Sequence, residues 1–188
     1  MRNIWTIARR EYRLYFTSPI AYIVALLTLL TVGIYFVVII YYTVNNSYYS
    51  NSAPGIDIVI GPLATVFLFA VPAITMRLLA DERRMGTLEL LLTTPIKDGE
   101  LVVGKWFGAF LFMLTIIAAT LVYPIVLNNI TTPGIDQGVM LSAYLAIILL
   151  TAVFLAIGTA MSSFFNNQFA AFFATLAALI LFWWLIRL

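Results

Sequence analysis

The sequence predicts an all-α, polytopic transmembrane helical bundle, and three observations carry that prediction. Apolar runs of about twenty residues or more recur five times, each long enough to cross a hydrocarbon core of ~30 Å as a helix. Of the 188 residues, 63% are hydrophobic and only 10% charged, far from the balance of a soluble domain. Finally, the Lys and Arg residues gather on one side of those runs.

The elements follow in order. Residues 2–16, "RNIWTIARREYRLYF", read as an amphipathic helix ahead of the first span. Ile4, Trp5, Ala8, Tyr12 and Tyr15 share one face of a helical wheel, and Arg2, Arg9 and Arg13 an adjacent one. Such a helix suits the headgroup region, basic side toward phosphate, as a topological anchor, a docking surface or both. It is not a signal peptide: the charged region is too long and no small-residue cleavage site follows the first span. Residues 1–18 therefore form an interfacial segment, with Trp5, Arg9, Tyr12 and Arg13 as its characteristic residues.

The first span is expected over about 19–43, with Ser18 as cap and Pro19 at the first helical position. The second covers about 56–80; Pro62 lies within it and Pro72 falls mid-span, where it should kink the helix. The third covers 101–127, with Asp98 as a cap and Glu100 in the first turn, favourable to the helix dipole. The fourth covers about 139–165, and the fifth runs from 169 to the end. Two polar, turn-rich loops, "NNSYYSNSAPG" and "NNITTPGIDQG", separate the spans on the other side. No internal repeat and no soluble domain are visible.

Charge placement sets the orientation. Arg2, Arg9, Arg10 and Arg13 precede the first span, while Arg77, Arg83, Arg84, Lys97 and Lys105 flank or occupy the segment between the second and third. The two opposite loops hold none, and Arg187 is the one exception. The positive-inside rule then places the N-terminus and residues 80–100 in the cytosol.

Several chemistries are disfavoured. The chain has no cysteine and no histidine, so it offers neither a thiolate metal site nor a serine–histidine or zinc protease centre. Asp57 and Asp136 fall at outer helix ends, where they cap or face water, and no carboxylate lies at a span centre, where an ion pathway would keep one. "GELVVGKW", residues 99–106, has the G-x-x-x-x-G-K spacing of a P-loop, but Trp106 stands where Ser or Thr should hold magnesium, and the setting is the start of a membrane helix. No nucleotide site is expected in this chain. Gly104 and Gly108 form a G-x-x-x-G pair suited to close helix packing. Ser142, Thr151, Thr159, Ser162 and Ser163 of the fourth span are expected to bond to their own helix or to neighbours rather than to line a path.

Residues 80–100, "ADERRMGTLELLLTTPIKDGE", hold eight of the eighteen charged residues. Taken as a short helix ended by Pro95, this segment puts Met85, Leu88, Leu91 and Leu92 on one face and turns Glu89 and Thr93 away. Membrane-surface helices are usually basic, and this one is of mixed sign. A small apolar face among mixed charges fits a helix-in-groove contact with a soluble protein. Because the segment joins two spans directly, a push on it would move both.

Three stretches carry a resemblance. "TMRLLADERRMGTLELLLTTPIKDGELVVGKWFGAFLF" resembles the segment after the second span in ABC-2 type transporter permeases, the membrane subunits of ATP-binding-cassette exporters. "REYRLYFTSPIAYIV" resembles their N-terminal segment, and "FLAIGTAMSSFFNNQFAA" their fourth-to-fifth span junction. The likeness is nearest to the gliding-motility-type permeases. It implies a single transmembrane domain over residues 1–188, with 80–100 as a cytosolic coupling segment. By position, contact with the ATPase falls to Asp81, Glu82, Arg83, Arg84, Gly86, Thr87, Leu88, Glu89 and Leu91. It further implies a prokaryotic cytoplasmic membrane, a second permease half, ATP and magnesium held by partner ATPase subunits, and no nucleic acid. Family members usually have six spans, so five imply a chain cut short. "FFNNQ" also lacks the charge expected in the turn after the fourth span. The competing expectation is a non-transporting membrane scaffold that uses the same segment to anchor a soluble partner.

Overall fold

The computed structural model describes residues 2–45, 54–80, 98–131 and 134–186. Every regular element among them is helical: α1 Arg2–Tyr15, α2 Pro19–Asn45, α3 Asp57–Thr75, α4 Asp98–Thr120, α5 Val122–Ile130, α6 Gln137–Phe164 and α7 Gln168–Ile186. Five of these stretches are long and apolar enough to cross a membrane, α4 and α5 together making the third.

The second span, α3, is the centre of the bundle. In its apolar stretch 61% of residues are buried, against 22% in α2 and 17% in α7. It packs on α2, α6 and α7 and touches α4. Val59, Leu63, Phe67 and Val71 are fully buried along it. The outer helices α2 and α7 instead present Leu26, Leu30, Ile34, Val37, Phe173, Leu181 and Trp184 outward, as helices bordered by lipid on one side do.

The first span and both ends of the fourth lie where the sequence places them, to within two residues. The second does not: regular helix ends at Thr75, so Pro72 lies in the last turn rather than mid-span. Residues 76–79 continue as turns, and the Met76 N–H donates to the Pro72 carbonyl at 2.9 Å. The third span departs too, broken at Leu121, three residues before Pro124. Proline has no N–H to give the carbonyl four residues back, which belongs to Thr120. The Tyr144 hydroxyl of α6 donates to that carbonyl at 3.1 Å, and the Thr120 hydroxyl donates to Ile117 at 2.7 Å. A carbonyl left open in an apolar surround is unfavourable, and Tyr144 gives this one a donor.

Asp57 and Asp136, at the starts of their helices, face water or cap as expected. Asp136 caps α6, accepting from the N–H groups of Gly138 at 2.8 Å and Val139 at 3.2 Å. Asp57 is exposed at the start of α3.

Candidate functional site

The Lys/Arg-rich side of the bundle is built around α1, which runs alongside the first half of α4. Contacts advance in step along both helices, so the two are parallel. The Asn3 amide donates to the Glu100 carboxylate at 3.1 Å, Lys105 Nζ meets Glu11 Oε1 at 3.0 Å, and the Tyr12 hydroxyl lies 3.1 Å from Thr115 Oγ1. The Tyr15 ring stacks on Phe112 with centroids 4.8 Å apart.

Glycine makes this approach possible. A Cβ on Gly104 would stand 2.8 Å from Ile7 Cβ, and one on Gly108 only 2.6 Å from Glu11 Cβ and 2.9 Å from the Ala8 carbonyl. Ala8 and Ala109 are both fully buried. The G-x-x-x-G pair is thus the seat of the N-terminal helix, in the small-residue manner of membrane helix pairs.

Close approach also shields the Lys105–Glu11 pair, whose side chains are 6% and 12% exposed. Taking one charge there without the other would be costly, so each fixes the position of its partner. Burial lifts the Tyr15 phenol far above its ordinary range, with the Glu11 carboxylate adding a smaller push. The "GELVVGKW" stretch therefore has a structural use: it lies within a continuous helix, and its lysine holds α1. Trp106, in the position a P-loop gives to Ser or Thr, donates to the Ala152 carbonyl at 3.3 Å and ties α4 to α6.

Of the residues expected to mark the interfacial helix, Arg9 and Arg13 are exposed and Tyr12 is half-buried on α4. Trp5 is exposed, its ring 6.1 Å from Phe107. The sequence expects this helix to lie along the headgroups with its basic side toward phosphate; in the structure much of its apolar face covers α4. The two placements are compatible. The Gly99–Ile130 stretch has 32 residues, about 48 Å of helix against a ~30 Å core. α1 accompanies the first part of that stretch, from Glu100 to Thr115.

On the opposite flank, Ser162 Oγ accepts from the backbone N–H groups of Leu79 and Ala80, each at 3.3 Å. The fourth span thereby gives an acceptor to the backbone that follows α3. Gly158 lies one turn earlier, where a Cβ would stand 2.5 Å from Thr75 Oγ1. The other small polar residues of α6 bond back to their own helix: Ser142 to Val139, Thr151 to Ile147, Thr159 to Ala156 and Ser163 to Ala160.

Asp81, Glu82, Arg83, Arg84, Gly86, Thr87, Leu88, Glu89 and Leu91 lie outside the described residues. What the structure fixes is both ends of their segment. Ala80 is tied to α6 through Ser162, and α4 is tied to α1 from Glu100 onward. Sequence reasoning did not single out Glu11 or the specific role of Ser162. Glu11 had a signal: it is the one acidic residue in an otherwise basic amphipathic stretch.

A family model described as ABC-2 family transporter protein matches residues 5–187. No curated protein matches the chain.

Proposed function

Since the chain belongs to the ABC-2 transporter family, we propose that it is the permease subunit of an ATP-driven exporter whose ATPase is a separate protein. Residues 80–100 and α1 receive the ATPase subunits on the cytosolic side, and a second permease half completes the path. ATP and magnesium belong to the partner, and this chain contributes motion rather than chemistry. The membrane is the prokaryotic cytoplasmic membrane, with the N-terminus inside.

One observation carries this reading: both ends of the charged segment are fastened to different parts of the bundle. A displacement of residues 81–97 pulls on Ala80, and through Ser162 on α6. At the other end it moves α4 together with α1, which the Lys105–Glu11 pair and the glycine seat hold as one body. A loop on a flexible tether would dissipate such a push.

The test is a pull-down and transport assay of two variants. Leu91→Asp places a carboxylate on the apolar face of the segment. Burying it unpaired in a protein groove costs several kcal/mol, on the order of a hundredfold or more in affinity. The ATPase should dissociate, or stay bound by α1 with hydrolysis uncoupled from transport. Glu89→Ala, off that face, should do much less. Retention and normal transport with Leu91→Asp, alongside loss with Glu89→Ala, would overturn the reading. A partner that binds through this face in a complex that moves no substrate would point to a scaffold.

A further inference from the structure

A cleft of about 370 Å³ opens on the Lys/Arg-rich side, between α1, the start of α2, the end of α3 and α4. Its size lies within the range of small-ligand sites. Three cations line it, Arg10, Arg77 and Lys105, against one carboxylate, Glu11. Lys105 is committed to Glu11. Arg10 and Arg77 are exposed, and among the described residues no carboxylate comes within ion-pairing distance of either. Among the described residues the cleft therefore carries an excess of positive charge, with Arg10 and Arg77 available to an anion.

The walls change character along the cleft. Arg10 belongs to α1 and Arg77 lies two residues beyond the end of α3, both outside the membrane-crossing helices. Ile20 and Ala21 open the first span, and Ala73 and Ile74 close the second. A ligand filling this space meets guanidinium at one end and aliphatic wall at the other. A soluble anion would use only the first half. A protein acid would leave the second half wet.

We propose that this cleft holds one anionic phospholipid of the leaflet on the Lys/Arg-rich side. The phosphate lies between Arg10 and Arg77, and the upper acyl chain runs along Ile20, Ala21, Ala73 and Ile74. Arginine suits this role because its planar fork grips phosphate oxygens in pairs. The bound lipid bridges α1 to the end of α3. The site needs no partner protein and no nucleotide.

The test reconstitutes the purified full-length chain into vesicles of equimolar phosphatidylglycerol and phosphatidylcholine. The protein is then extracted in neutral detergent and the retained lipid counted by native mass spectrometry. The wild type should keep one phosphatidylglycerol and exclude phosphatidylcholine. Arg10→Gln and Arg77→Gln should each weaken retention about fivefold, the worth of one basic residue near an anionic surface. Arg187→Gln, the same charge change away from the Lys/Arg-rich side, should leave it unchanged, and Arg77→Lys should recover most of the loss. Equal retention of the two lipids, or an Arg187→Gln effect as large as the others, would overturn the site. Displacement by glycerol phosphate at a concentration matching the lipid would overturn a lipid ligand in favour of a soluble phosphate. Loss of ATPase binding in Arg10→Gln and Arg77→Gln without any change in lipid would assign the cleft to a protein contact.

Discussion

The Gly99–Ile130 span meets its two ends in opposite ways. At the Lys/Arg-rich end, two helices close on one another over glycine and bury an ion pair. At the far end, the span breaks at Leu121, and a tyrosine from a neighbouring helix patches the carbonyl that Pro124 leaves open. One end is held by shape, with charge locked in behind it; the other is interrupted and repaired by a single hydroxyl. A displacement delivered at the first end should travel as a rigid body. At the second it meets a joint that can bend at the cost of one hydrogen bond.

Three substitutions break or sharpen that contrast, and the absence of native cysteine makes them easy to follow. A cysteine pair at Asn3 and Glu100, joined by a flexible bifunctional maleimide, reports whether α1 is seated. The largest effect should come from Lys105→Ala, which strands Glu11 in the closed interface. Losing one member of a buried pair costs about 3 kcal/mol or more, enough to unseat α1 and cut cross-linking sharply. Glu11→Gln combined with Lys105→Met should restore most of it. Nucleotide binding by the assembled complex should survive Lys105→Ala; its loss would mean that the lysine does more than hold a helix.

Next comes Gly108→Val. The added Cβ would meet Glu11 Cβ and the Ala8 carbonyl, neither of which can swing away. The helices must part, at a cost of about 2 kcal/mol. Gly99→Ala is the matched control, since a Cβ there meets nothing within 4 Å. If both substitutions lower cross-linking alike, the close approach of α1 is not what holds it.

The smallest effect belongs to the far end. Tyr144→Phe removes the hydroxyl from the Thr120 carbonyl and should cost about 0.6 kcal/mol, a typical figure for hydrogen bonds between membrane helices. Thermal unfolding in detergent can resolve it against Pro124→Ala. That change returns an N–H to the broken turn, so Tyr144→Phe should become nearly silent on its background. Additive costs would show that the proline and the tyrosine act independently.

Much of this architecture was legible because the membrane imposes a length. Twenty apolar residues announce a span whatever surrounds them, so Pro19 and the ends of α6 were placed closely. Irregular backbone was not legible in the same way. Pro72 looked central because the apolar run continues to Ala80, although regular helix stops at Thr75. The break at Leu121 went unforeseen because Pro124 sits in an unbroken apolar run. For α1, the wheel identified the apolar face but not what covers it: lipid and another helix select the same side chains. Gly104 and Gly108 marked a close approach without naming the partner, and Lys105 drew notice for its P-loop-like spacing rather than for its pairing with Glu11. Ser162 was expected to bond to its own helix or to a neighbour, and it is the neighbour that it serves.

The seating of α1 also sets an order of events during synthesis. Its partners on α4 lie 94 to 103 residues further along the chain. At ribosomal rates of 5–20 residues per second, the N-terminal helix waits roughly five to twenty seconds with Glu11 unpaired. Two spans insert in that time, so the orientation of the protein is decided before α1 has a place to go. Docking then pairs two charges at once. A nascent chain halted before Lys105 keeps an amphipathic helix whose one acid has not yet met its partner.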